Sequence, residues 1–143
     1  MDAKSQDNTP PIFLAIGSCS AALAVIAGAF GAHALKGSID SDMLSAFETA
    51  VRYQMYHAFG LVAIALTGHR SGGTNAKKLR AAGFFFILGT VLFPGSLYIM
   101  ALTGTRWLGA VTPVGGISFI LGWLLFARFG RTWTRAESIE PRA

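Results

Sequence analysis

Charge and cysteine are both scarce in this chain of 143 residues. Asp, Glu, Lys and Arg together make up 13% of the sequence, about half of the roughly 25% that is usual in soluble globular domains. A small soluble protein exposes a large surface for its volume and needs more charge than this. The single cysteine, Cys19, excludes a disulfide scaffold, and a hydrophobic content of 52% excludes disorder. The composition therefore predicts a membrane protein.

Motifs that would identify an enzyme are also missing. The sequence has no phosphate-binding loop, nucleophile elbow, HExxH or CxxC pattern, so no residue is predicted to be catalytic and no cofactor is indicated. The net charge of +5 raises the question of a nucleic acid partner. The basic residues, however, stand at the ends of apolar runs and not among aromatic residues. That distribution is typical of membrane proteins and argues against nucleic acid.

Four segments are long and apolar enough to cross a bilayer as helices, at 12–35, 43–67, 81–103 and 107–127. The first has 24 residues without a formal charge, or about 36 Å of helix against a hydrocarbon core of about 30 Å. A cleaved signal peptide is the alternative for this segment, but its apolar run would be only about 7–15 residues long. Short connections make consecutive helices antiparallel. The predicted fold class is an all-α, integral membrane four-helix bundle that forms one domain.

Local signals indicate where these helices begin and end. Gly37 is predicted to follow the C-terminus of the first helix, and Asp40 to cap the N-terminus of the second. The segment 68–80 is Gly-rich and basic, which predicts a loop. Pro113, which follows a threonine, is predicted to lie in the first turn of the fourth helix.

Lysine and arginine are distributed unequally between the two ends of this bundle. With four spans, one side carries nine of them: Lys4, Arg70, Lys77, Lys78, Arg80, Arg128, Arg131, Arg135 and Arg142. The other side carries two, Lys36 and Arg106. The positive-inside rule then predicts a plasma (inner) membrane protein with both termini in the cytoplasm.

Two ionisable residues inside the second segment are the first candidate functional residues. Glu48 and Arg52 are four residues apart, so their side chains can meet on one helix face. A charged side chain at the centre of a membrane helix costs about 2.5–3.5 kcal/mol, which predicts that the pair faces the bundle interior. The alternative is a surface pair at the outer interface. At about 100° per residue, His57 lies about 180° from Glu48 and does not share this face.

Two histidines on neighbouring helices suggest a metal or haem site as a further alternative. His33 is near the outer end of the first helix, and His57 follows Tyr53 by one turn of the second. No carboxylate or cysteine stands at ligand spacing beside either histidine. We therefore predict structural, hydrogen-bonded histidines and no metal site, with a haem or quinone redox protein as the alternative.

The third segment contains Pro94 and Gly95 at its middle. Because Pro94 cannot donate a hydrogen bond to the carbonyl of Thr90, the helix is expected to kink or open there. Broken helices line binding sites in transporters. The alternative function is therefore a small-molecule or ion transporter with a polar pocket beside this kink, formed by His33, Glu48, Arg52 and His57.

Small residues recur along one face of the first helix, at Gly17, Ala21, Ala24, Gly28 and Ala32. Such a face lets another backbone approach closely. We expect it to pack within the bundle, and a homodimer interface is the alternative.

Four motifs in order resemble those of a known family. They are GAFGAH at 28–33, TAVRYQMYH at 49–57, FPGSLY at 93–98 and TPVGG at 112–116. Together they are similar to the small multi-pass inner-membrane family catalogued as domain of unknown function 423. The resemblance implies a four-helix membrane protein without an established activity, and adds Tyr53 and Tyr98 to the candidate residues. The expected role is that of an accessory subunit which binds a membrane-protein partner or a second copy of itself within the lipid bilayer.

Overall fold

The computed structural model describes residues 12–68 and 73–137. The polar tail predicted for 1–11, the basic residues of 69–72 and the end of the C-terminal tail lie outside these ranges. The described chain contains four α-helices and no strand. They are α1 (Ile12–Phe30), α2 (Ser41–Gly68), α3 (Gly73–Thr103) and α4 (Thr112–Glu137).

Two short irregular turns join these helices. A π-helical turn, Gly31–Leu35, extends α1, and a 3-10 helix, Arg106–Ala110, precedes α4. Gly37 lies just after the π-helical turn with φ +83°, a conformation that glycine adopts without strain. The Asp40 carboxylate accepts a hydrogen bond from the backbone amide of Asp42 at 2.8 Å. Two predictions are thus confirmed: the first helical segment ends before Gly37, and Asp40 caps the N-terminus of α2.

The bundle is built from successive pairs of helices. Helix α1 packs on α2, α2 on α3, and α3 on α4. An ion pair of 4.0 Å between Asp40 and Arg106 brings the α1–α2 and α3–α4 connections to the same end. Within residues 12–68 and 73–137, three stretches are long and apolar enough to cross a membrane, at Ile12–Leu35, Ala76–Thr103 and Arg106–Gly130. The predicted span at 43–67, in α2, is not among them and stays a prediction. The predicted all-α membrane bundle with antiparallel neighbours is confirmed.

The start of α3 differs from the sequence-based prediction. The segment from Gly73 onward is helical and not a loop. Ala76 and Leu79 are fully buried, and Leu79 belongs to the main hydrophobic cluster. Their spacing of three residues continues the buried face of α3 toward Ala82. Packing of this face outweighs the local effect of the glycines and lysines, which the prediction had weighted more heavily.

Helix α3 runs through Pro94 and Gly95 without interruption. The predicted opening of the helix is therefore wrong, and a bend there stays a prediction. Side-chain hydroxyls bond to carbonyls on either side of the proline. Thr90 donates to the carbonyl of Phe86 at 2.8 Å, and Ser96 donates to that of Phe93 at 3.0 Å. Neighbouring packing and such hydroxyls are what make proline tolerable in membrane helices.

Aromatic rings fill the centre of the bundle. Phe13, Phe86, Phe119 and Phe129 are each at most 3% exposed and belong to one cluster with Leu61, Ile64 and Leu79. On α1, the predicted internal packing of the small residues is confirmed at three positions. Ala24 is fully buried, and Gly17 and Gly28 approach α2 closely. Ala32 is exposed.

Candidate functional site

Glu48 and Arg52 form an ion pair on the outside of the bundle. The Glu48 carboxylate lies 3.8 Å from the Arg52 guanidinium, and the two side chains are 54% and 53% exposed. Arg52 also donates to the Thr49 hydroxyl at 3.1 Å. The prediction that the pair faces the interior is therefore wrong, and the surface pair is what the structure contains. The inward face of α2 is already occupied by apolar residues such as Phe47 and Ala50.

A cleft opens beside this ion pair, between α1 and α2. It has a volume of about 180 Å³ and is lined by Gly28, Gly31, Phe47, Glu48, Val51 and Arg52. Gly28 and Gly31 have no side chain to fill this space, and Phe47 and Val51 form the apolar wall on α2. Gly31 is also the first residue of the π-helical turn, and such turns are frequent at functional sites. We call this feature the α1–α2 cleft.

His57 is a buried structural residue. It is 4% exposed, its Nδ1 lies 2.7 Å from the Tyr53 carbonyl oxygen, and its ring stacks on Phe119. Tyr53 itself stacks on Phe93 with ring centroids 4.5 Å apart. Helical arithmetic had separated His57 from the face of the ion pair, and the structure confirms that separation.

The two histidines do not meet. The backbone of Ala58, next to His57, packs against Gly17 near the start of α1, whereas His33 is exposed in the π-helical turn at the other end. Sixteen residues separate Gly17 from His33, or about 24 Å of helix. This distance excludes a metal or haem shared by the two, and it also separates the members of the predicted four-residue pocket.

Gln54 is a buried polar residue that the sequence analysis missed. It is 8% exposed, its amide donates to the Ser20 carbonyl of α1 at 3.0 Å, and it accepts the Tyr98 hydroxyl of α3 at 2.8 Å. One side chain thus joins three helices. A signal was present in the sequence, because Gln54 follows Phe47 by seven residues and precedes Leu61 by seven, which places it on the buried face.

The Tyr98–Gln54 hydrogen bond yields a measurable coupling energy. We expect Tyr98→Phe and Gln54→Leu each to lower the unfolding free energy by about 1 kcal/mol, because polar bonds between membrane helices average about 0.6 and reach about 1.7 kcal/mol. In a double-mutant cycle in detergent, the double variant should lose less than the sum of the singles. Additive losses would show that the two groups do not interact.

The comparison with known proteins bears on the same residues. The sequence profile of a family described as Protein of unknown function (DUF423) matches residues 27–116. The chain belongs to the DUF423 family. The matched range includes the α1–α2 cleft, Gln54 and the Pro94 region. The family resemblance stated from the motifs is confirmed.

Two similar proteins are bacterial membrane proteins of nearly the same length. A UPF0382 membrane protein of Staphylococcus epidermidis is 46% identical over 114 residues, which cover 80% of this chain and 90% of that protein. The UPF0382 membrane protein YwdK of Bacillus subtilis is 43% identical over 114 residues, covering 80% and 91%. No solved structure matches the chain. The relatives are membrane proteins without a stated activity, which agrees with the predicted membrane protein of unknown activity.

Proposed function

We propose that the protein is a membrane-embedded binding protein whose ligand enters the α1–α2 cleft from the lipid side. The observation that carries this proposal is the Glu48–Arg52 pair, which is half exposed on the outer surface of the bundle. Charged side chains in a membrane segment are costly unless something covers or hydrates them. A ligand or partner at the cleft would supply that cover.

The arrangement of the interior favours this function over a transporter. Packed aromatic rings occupy the centre of the bundle, where a transporter places its substrate site. Phe86 and Phe119 are 0% and 3% exposed, and the buried polar side chain of Gln54 already has partners on both neighbouring helices.

Photo-crosslinking from the rim of the cleft tests this function. Ser45 precedes Arg52 by seven residues on α2, and Ala32 follows the cleft residue Gly31 in the π-helical turn. Both positions therefore lie near the cleft, and both are exposed. A photoreactive amino acid at either position should yield an adduct of one defined mass in membranes.

The control position is Ile120 of α4, which is 60% exposed. There the adducts should reflect the mixture of bulk lipids. The same mixture at Ser45 and Ala32 would contradict a selective cleft.

We propose in addition that the protein resides in the plasma membrane with four spans and both termini in the cytoplasm. The nine-to-two distribution of basic residues supports this orientation, as does the position of both short connections at one end. Reporters fused at Ala143 and after Gly72 should report cytoplasm, and a reporter at Asp40 should report the outside. A periplasmic or extracellular signal at Ala143 would contradict the four-span orientation.

A further inference from the structure

The α1–α2 cleft combines an apolar wall with two opposite charges at its rim. Phe47 is 3% exposed and forms the wall together with Val51. Glu48 and Arg52 stand side by side at the edge and reach solvent or lipid. A ligand that matches this surface has an apolar part beside a headgroup that carries one anion and one cation.

We propose that the cleft binds a phospholipid whose headgroup contains a phosphate and a primary ammonium, as in phosphatidylethanolamine. This inference rests on the proposed function and identifies the ligand of the same site. The Arg52 guanidinium binds the phosphate, because planar guanidinium groups form paired, charge-assisted hydrogen bonds with phosphate oxygens. The Glu48 carboxylate accepts hydrogen bonds from the ammonium. One acyl chain lies in the groove over Gly28 and Gly31.

The size of the cleft favours a lipid over a compact molecule. Its volume of about 180 Å³ is below the roughly 300–1,000 Å³ of sites that enclose a small ligand. The cleft therefore holds only part of its ligand, and the remainder extends along the bundle. A chain that continues into the bilayer satisfies this requirement.

The depth of the charged pair matches the position of a lipid headgroup. Phe47 packs against the Gly31 backbone, so Glu48 lies about four to seven residues, or about 6–10 Å, from the Leu35 end of the uncharged helix. Helical side chains lean toward the N-terminus, and the N-terminus of α2 lies at this same end. Arg52 accordingly contacts Glu48 and Thr49, one turn closer to the membrane surface.

Three headgroups distinguish the contacts that this site requires. Phosphatidylethanolamine provides a phosphate and an N–H donor, phosphatidylcholine has a phosphate but no N–H, and phosphatidylglycerol has no cation for Glu48. The experiment titrates the purified full-length chain in mild detergent with the dioleoyl form of each lipid and counts bound lipids by native mass spectrometry. We expect phosphatidylethanolamine to bind with a Kd about tenfold lower than either of the others, since a charge-assisted hydrogen bond changes affinity by about this factor or more.

Conservative variants test the two proposed contacts separately, that of Glu48 with the ammonium and that of Arg52 with the phosphate. Glu48→Gln should abolish the preference for phosphatidylethanolamine over phosphatidylcholine, and Arg52→Gln should weaken both lipids about tenfold. Arg52→Lys keeps the charge but loses the paired hydrogen bonds, so its affinity should lie between those of the unmodified chain and Arg52→Gln. Asp42→Asn is the matched control, because it removes an exposed carboxylate of α2 that does not line the cleft. Melting temperatures identify any variant that is unfolded.

Two results would overturn the lipid assignment. One is equal affinity of the three lipids for the unmodified chain, and the other is unchanged selectivity in Glu48→Gln. If the crosslinks at Ser45 and Ala32 then yield one defined adduct of protein mass, including that of a second copy of this chain, the binding cleft stands and its lipid ligand does not. If those crosslinks yield only bulk lipid, the binding function fails as well.

Discussion

Replacing Phe86 by alanine is expected to lower the free energy of unfolding by about 3–5 kcal/mol, the usual range for a buried phenylalanine in a packed core. Phe86 is fully buried and belongs to α3, and its ring fills notches in two other helices. A Cβ atom at Gly60 of α2 would lie 2.8 Å from the ring, and one at Gly122 of α4 would lie 2.6 Å from it. Loss of the ring therefore removes contacts among three helices at once.

Phe59→Ala is the matched control for this substitution. Phe59 is 61% exposed, so its ring contributes little to packing within the bundle, and we expect a loss below about 1 kcal/mol. Both variants are compared by thermal or denaturant unfolding in one detergent. Similar losses for the two variants would contradict the assignment of Phe86 to a common core.

Gly115→Ala is expected to destabilise the bundle by about 1–3 kcal/mol through overpacking. A Cβ atom at this position would lie 2.5 Å from the backbone nitrogen of Phe93. Backbone atoms cannot rotate away as a side chain can, so α3 and α4 would have to move apart next to Pro94. Melting of the purified variant in detergent measures the effect.

The adjacent glycine provides the control. A Cβ atom at Gly116 would lie 3.8 Å from the Phe93 ring, an ordinary contact. Gly116→Ala should therefore leave stability unchanged or raise it by up to about 1 kcal/mol, because alanine favours the helix more than glycine does. If both alanine variants have the same melting temperature, the close contact at Gly115 does not determine how closely α3 and α4 pack.

The class of fold was predictable because its causes are local. Scarcity of charge and the length of uncharged runs determine that helices cross a bilayer, and the caps at Gly37 and Asp40 are set by residues within one turn. The family motifs also lie in continuous segments of the chain. Each of these features can be read without knowing which helices are neighbours.

The orientation of α2 was less predictable because it depends on neighbours. The cost of inserting a charge favoured an inward position for Glu48 and Arg52, but the inward side of α2 was already taken by the row that includes Phe47 and Gln54. The sequence analysis missed Gln54 because its hydrogen-bond partners lie on other helices, α1 and α3. Likewise, no local pattern shows that Phe86 fills the space left by glycines on two other helices.

The connections that join the helices at one end bear on how the chain enters the membrane during synthesis. Residues 36–40 and 104–111 are the links between α1 and α2 and between α3 and α4. In the orientation we propose, these are the segments that must pass through the hydrocarbon layer, and their formal charges are Lys36, Asp40 and Arg106. Each pair of helices can thus insert as a hairpin, and only its short link crosses the hydrocarbon layer. In that orientation, neither link carries a folded domain across the membrane.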